Sequence, residues 1–123
     1  MGRQYVIAGN WKMYKTADES REFIQALAGE FSDAPGLTVV VFPPFTSLPA
    51  VSGLDPRVHI GAQNLFFEEK GAFTGEISAL MLRGLAEYAL VGHSERRQVF
   101  HESDEDVSRK LLAALAAGLK PVW

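Results

Sequence analysis

The chain has 123 residues, 47% of them hydrophobic, with 15 acidic against 12 basic side chains for a net charge of -3, and no cysteine. That is one domain of globular chain at most, without disulfides, thiolate nucleophiles or Cys-based metal sites. There is no basic tract to attract nucleic acid or an anionic membrane. No apolar stretch approaches a bilayer span, and Met1-Gly2-Arg3-Gln4 lacks the apolar core of a signal peptide. The expectation is a soluble cytoplasmic protein with no nucleic-acid or membrane partner; small anions stay open as ligands because they need only a local pocket.

Residues 5–9 form a short apolar run, the type expected of a strand covered on both faces. Thr16 with Glu19 makes a capping box, and Phe23, Ile24, Leu27 and Phe31 then recur at helical spacing. Residues 37–42 read as a second buried strand, ended by Pro43-Pro44, which continue neither a ladder nor a helix interior. Thr46 to Val51 suits a short helix with Pro49 in its first turn.

Residues 59–63 read as a third strand despite Gly61, and a loop from Asn64 to Gly75 leads to Ile77, Leu80, Met81 and Leu85 on a helical face. Tyr88 to Gly92 is the fourth strand. Ser103 opens another helix, with Asp104, Glu105 and Asp106 in its first turn, where carboxylates suit the helix dipole. Val107, Leu111, Leu112 and Leu115 are expected on its buried face, and Gly118 just past its end. Pro121-Val122-Trp123 then begins a further apolar segment.

Strands alternating with helices predict an α/β fold of parallel βαβ units. A closed eight-stranded barrel takes roughly 250 residues, so the chain is either about half of one or an open sheet. The polar residues gather where strands end, the usual place for ligand-binding and catalytic groups in such folds. Ala8-Gly9-Asn10-Trp11-Lys12-Met13 follows the first strand, and Val91-Gly92-His93-Ser94-Glu95-Arg96-Arg97 follows the fourth.

These two motifs occur in order with Phe42-Pro43-Pro44, Gly61-Ala62-Gln63-Asn64 and the Gly71 to Glu76 loop. With them, the whole chain resembles the N-terminal half of the triosephosphate isomerase family. The resemblance implies that residues 1–123 are a single-domain fragment: four (β/α) units of a TIM barrel plus the start of strand five. It implies interconversion of dihydroxyacetone phosphate and glyceraldehyde 3-phosphate through an enediolate, in glycolysis and gluconeogenesis, with no cofactor and no metal. It also implies a neutral histidine electrophile and a glutamate base. The catalytic residues it implies are His93, Lys12 and Glu95; Asn10, Lys12 and Ser94 would bind or orient substrate. A homodimer is implied, with Met13, Tyr14, Phe73, Thr74 and Gly75 at its interface.

The chemistry suits these residues. An enediolate develops negative charge on oxygen, which Lys12 meets as a cation and His93 as an N–H donor. If residues 94–100 form a helical turn, its free amides favour a neutral His93 ring. Other readings stay open beside these. Lys12 is also compatible with a solvated surface role, Glu95 with a salt-bridge cluster alongside Arg96 and Arg97, and the loop phenylalanines with folding back on their own subunit. His59, His93 and His101 show no paired metal-ligand spacing, and no Gly-x-Ser-x-Gly elbow occurs.

Three departures from the family stand out. The glutamate base, the mobile lid and the phosphate loops belong to segments beyond these residues, so the chain alone is expected to be inactive. Lys120 stands where the glutamate of a Glu-Pro-Val-Trp run would lie, and the better register makes Lys120 to Trp123 the start of strand five. Tyr14 occupies a position where asparagine is common. The alternatives are a non-catalytic half-barrel module that self-associates through open sheet edges, an engineered fragment, or a different sugar-phosphate-binding barrel.

Overall fold

A computed structural model of the chain describes residues 3–30 and 36–123. Five strands, β1 (Tyr5–Asn10), β2 (Leu37–Phe42), β3 (Val58–Ala62), β4 (Tyr88–Leu90) and β5 (Lys120–Val122), pair in parallel in sequence order. They form a curled half-barrel. The crossovers hold α1 (Ala17–Glu30), a 3-10 turn (Phe45–Ser47), α2 (Leu48–Val51), α3 (Ala79–Leu82), α4 (Ser94–Gln98) and α5 (Asp104–Ala116). Because all strands run the same way, their C-terminal ends share one edge of the sheet.

Local chemistry accounts for the element boundaries. Thr16 and Glu19 form the reciprocal bonds of the expected capping box ahead of α1, and Ser103 with Asp106 does the same for α5. α5 ends with Gly118 at φ +82, where the N–H of Leu119 bonds the Ala114 carbonyl and that of Gly118 the Leu115 carbonyl. That is a Schellman closure, which glycine enters without Cβ strain. Gly61 has a different reason to lack a side chain: a Cβ there would lie 2.3 Å from the ring of Phe42. The strand glycine is thus the seat of a neighbouring aromatic ring.

The core lies between the sheet and the helices, where Ile24, Val41, Leu48, Val51, Ile60, Ala62, Leu82, Ala89, Ala114 and Leu119 pack as one cluster. Several sequence-based expectations are corrected here. β1 is not covered on both faces: Tyr5, Val6 and Ile7 are 58–60% exposed. It is an edge strand bonded to β2, and α1 packs on α2 and the 3-10 turn rather than over it. On α5 the buried positions are Val107, Lys110 and Ala114, while Leu112 and Leu115 are exposed and Leu111 half-buried. The small alanine lets the helix sit close to the sheet, and Lys110 enters because carboxylate and amide acceptors await it.

The helix after the third strand is one turn long. It buries Ala79 and Leu82 and leaves Leu80 and Met81 exposed, with Ile77 and Leu85 packed against the core from either side. β3 starts one residue earlier than expected, and β4 ends at Leu90 rather than Gly92 because Gly92 turns to φ +71. Phe31, expected on the α1 face, lies outside the described residues.

Candidate active site

The motifs after β1 and β4 meet at the C-terminal edge of the sheet. Lys12 Nζ lies 2.6 Å from Glu95 Oε1. The Lys12 backbone is in the left-handed region at φ +55, and two side chains hold it there. Asn10 Oδ1 accepts from its N–H at 2.9 Å, and Gln63 Nε2 donates to its carbonyl at 2.7 Å. The same Gln63 amide donates to the Phe42 carbonyl at 2.8 Å, so β1, β2 and β3 are stitched together beneath the lysine.

His93 is the N-cap of α4, and its Nδ1 lies 3.1 Å from the backbone N–H of Glu95. A backbone N–H can only donate, so Nδ1 accepts, and the neutral tautomer carrying its proton on Nε2 is the one that makes this bond. Nδ1 is also 3.8 Å from Glu95 Oε2, too long for a hydrogen bond, so the backbone contact decides the tautomer. Nε2–H is then left as a donor.

The charges reinforce one another. The hydrogen bond from Lys12, then its positive field, hold the Glu95 carboxyl below the usual carboxylate range despite some desolvation. The same hydrogen bond and the Glu95 charge raise Lys12 above the ordinary lysine value. Glu95 is therefore a committed anion whose place is to hold Lys12, and a poor proton acceptor.

Asn10, Lys12, Gln63, His93 and Glu95 line a cleft of about 300 Å³, with Met13, Phe45 and Phe100 as apolar walls. A larger groove of about 580 Å³ runs between Phe66, Phe67 and Leu80 on one side and Arg109, Leu112 and Ala116 on the other. It gathers no strand-end motif and no cation–histidine pair, so the smaller cleft is the candidate site. Among the described residues no three histidine or carboxylate side chains cluster as metal ligands.

Of the residues read from sequence, Asn10, Lys12, His93 and Glu95 converge. Ser94 is exposed on the first turn of α4, and the bond that aims the His93 ring runs to the Glu95 backbone instead. Met13 and Tyr14 are exposed beside the cleft. Phe73, Thr74 and Gly75 lie on an exposed loop, where the Phe66 ring contacts Phe67 at 4.2 Å and Phe73 at 4.7 Å between centroids. The phenylalanines thus cluster within the chain while Phe73 keeps a free face.

Sequence reasoning gave no role to the Gln63 clamp, although Gln63 stands inside a quoted motif. It also missed a buried knot in which Glu102 Oε2 accepts from Lys110 Nζ at 2.8 Å and Arg96 Nε at 3.2 Å, while Lys110 donates to Asn64 at 2.9 Å. A lysine on a helix's inner face was the available signal.

A parallel half-barrel with an asparagine, a lysine, a histidine and a glutamate at its strand ends has the architecture of one half of a (β/α) barrel. The family model for triosephosphate isomerase matches residues 5–123, and the chain belongs to that family. It is 50% identical to the triosephosphate isomerases of Dehalococcoides mccartyi over 122 residues and of Acetivibrio thermocellus over 125, covering 98% and 99% of this chain and 49% of each relative. It is also 50% identical to that of Chloroflexus aurantiacus over 120 residues, 95% of this chain and 48% of the relative. The chain spans about half the length of the curated relatives it matches. No helix among the described residues is long and apolar enough to cross a membrane.

Proposed function

We propose that these residues form the N-terminal half of a triosephosphate isomerase site, in which Lys12 and the Nε2–H of His93 act together on the oxygen of an enediolate. The observation that carries the reading is the linked set Asn10–Lys12–Glu95–His93 around one cleft. Moving a proton between the carbons of a triose phosphate places negative charge on oxygen, and fixed donors there lower the barrier. Lys12 supplies charge held in place by Glu95, His93 supplies a neutral donor aimed by the α4 backbone, and Asn10 keeps Lys12 at its angle.

The proton-abstracting carboxylate is assigned to a segment outside residues 1–123, because Glu95 is engaged with Lys12. Missing that base costs ~10²–10⁴-fold. The chain alone is therefore expected to be inactive, as an N-terminal half in need of its complement. The exposed Met13, Tyr14, Phe73, Thr74 and Gly75 support a homodimer of the complete protein, and a glycolytic, cytoplasmic setting follows from the same reading.

The test is a coupled assay with glyceraldehyde 3-phosphate on the longest native chain that contains this sequence and on residues 1–123 alone. The long chain is expected to turn over, to lose roughly 10²–10³-fold on Lys12→Met, and to elute as a dimer; the short chain is expected to be silent. Full activity of Lys12→Met would remove the lysine from the mechanism.

A further inference from the structure

Arg97 reaches two ways from α4. Its Nε donates to the carbonyl of Gly92 at 3.3 Å, and its Nη1 to Asp104 Oδ1, on the first turn of α5, at 2.6 Å. Gly92 is the residue before His93. It sits at φ +71, with the side chain of Val107 so near that a Cβ would lie 2.9 Å from it. β4 has ended two residues earlier, so the left-handed turn swings the Gly92 carbonyl out of the ladder and leaves it in need of a donor. Arg97 is that donor, and the fork of a guanidinium serves the carbonyl and the carboxylate at once, which the point charge of a lysine does not.

We infer that Arg97 is a positioning residue for His93: it pins the Gly92–His93 peptide against α5 and thereby fixes where the imidazole stands, with Asp104 orienting the guanidinium. This rests on the isomerase reading above. Asp104 is 93% exposed, so the ion pair adds little to folding stability, and orientation is what the contact provides. The two anchors act in series. Arg97 sets the backbone at His93, and the Glu95 N–H then sets the ring through Nδ1.

The experiment compares wild type, Arg97→Met, Arg97→Lys and Asp104→Asn in the longest native chain that contains this sequence. The readouts are ¹⁵N ring signals of His93, kcat and KM, and thermal unfolding. Wild type is expected to show one tautomer with an accepting Nδ1. Arg97→Met is expected to mix the tautomers and lower kcat roughly 10–100-fold, since a displacement of about 1 Å has effects of that order. KM should stay within about twofold, as expected when ground-state binding is untouched. Arg97→Lys should fail to restore kcat. Unchanged ring signals in Arg97→Met, or a kcat loss matched by loss of folded protein, would overturn the inference. If Arg97→Met does not fold, Asp104→Asn decides: altered ring signals support the inference and unaltered ones overturn it. Absence of turnover in wild type would defeat the isomerase reading, and the ring signals would still decide the role of Arg97.

Discussion

Lys110→Met should unfold a large part of what holds α5 to the site. The Glu102 side chain is 4% exposed and that of Lys110 6%, and one carboxylate oxygen takes both Lys110 and Arg96. The other oxygen, Oε1, is buried with no hydrogen-bond partner among the described residues. Removing Lys110 leaves a buried anion with one cation and leaves Asn64 Oδ1 without its donor. Breaking a buried pair in this way costs about 3–5 kcal/mol, a large share of the ~5–15 kcal/mol that stabilises a typical domain. With a urea dependence of about 2 kcal/mol per M, the unfolding midpoint should fall by roughly 2 M. Urea titration followed by circular dichroism measures it. Replacing both partners, Lys110→Met with Glu102→Leu, should recover most of the loss, because the desolvated charge goes too. A single variant within about 1 kcal/mol of wild type would refute the reasoning, since exposed pairs behave that way.

Gly61→Ala drives a methyl into the Phe42 ring, and overpacking of this kind costs about 1–3 kcal/mol; pairing it with Phe42→Leu should relieve the loss in the same urea assay. Glu19 and Asp106 are held below the usual carboxylate range, first by the backbone N–H groups of Thr16 and Ser103. Their contribution to stability is therefore present above the ordinary carboxylate values and lost as pH falls through the depressed ones. The urea midpoint should decline from about pH 5 downward, and less steeply in an Asp106→Asn variant, which removes the titrating carboxyl that the Ser103 N–H holds. The Lys12–Glu95 pair works in both directions: its contribution is lost as pH falls through the lowered Glu95 value or rises through the raised Lys12 value. Glu95→Gln should bring the Lys12 titration, followed by ¹⁵N NMR of Nζ, back down toward the ordinary lysine value. No movement would mean that the two side chains do not meet in solution.

The fold was legible because local signals agreed with the global pattern. The capping box at Thr16, the helix start at Ser103 with its acidic first turn, the proline stop after Phe42 and the glycine after α5 each marked a boundary that the structure keeps. Burial was harder to read, because periodicity states which face is apolar but not how near the neighbouring layer lies. On α5 the sheet approaches closely enough to select Ala114 over Leu112 and Leu115. The site was legible in residue type and position. The Gln63 clamp was not, because it joins residues 51 and 21 positions apart; nor was the Lys110–Glu102–Arg96 knot, whose bonds span 8 and 6 positions across the turn between α4 and α5 and leave no periodic trace.

The left-handed backbone at Lys12 shapes what mutagenesis at that position can report. Every replacement inherits a conformation that Asn10 and Gln63 impose from outside, so an alanine there loses the ammonium while keeping the torsional strain. A glycine loses both, and a β-branched residue adds a clash of its own. A table of tolerated residues at position 12 therefore superimposes two scales, one electrostatic and one conformational. The Ala–Gly difference isolates the second, and only after it is subtracted does the remainder measure the charge.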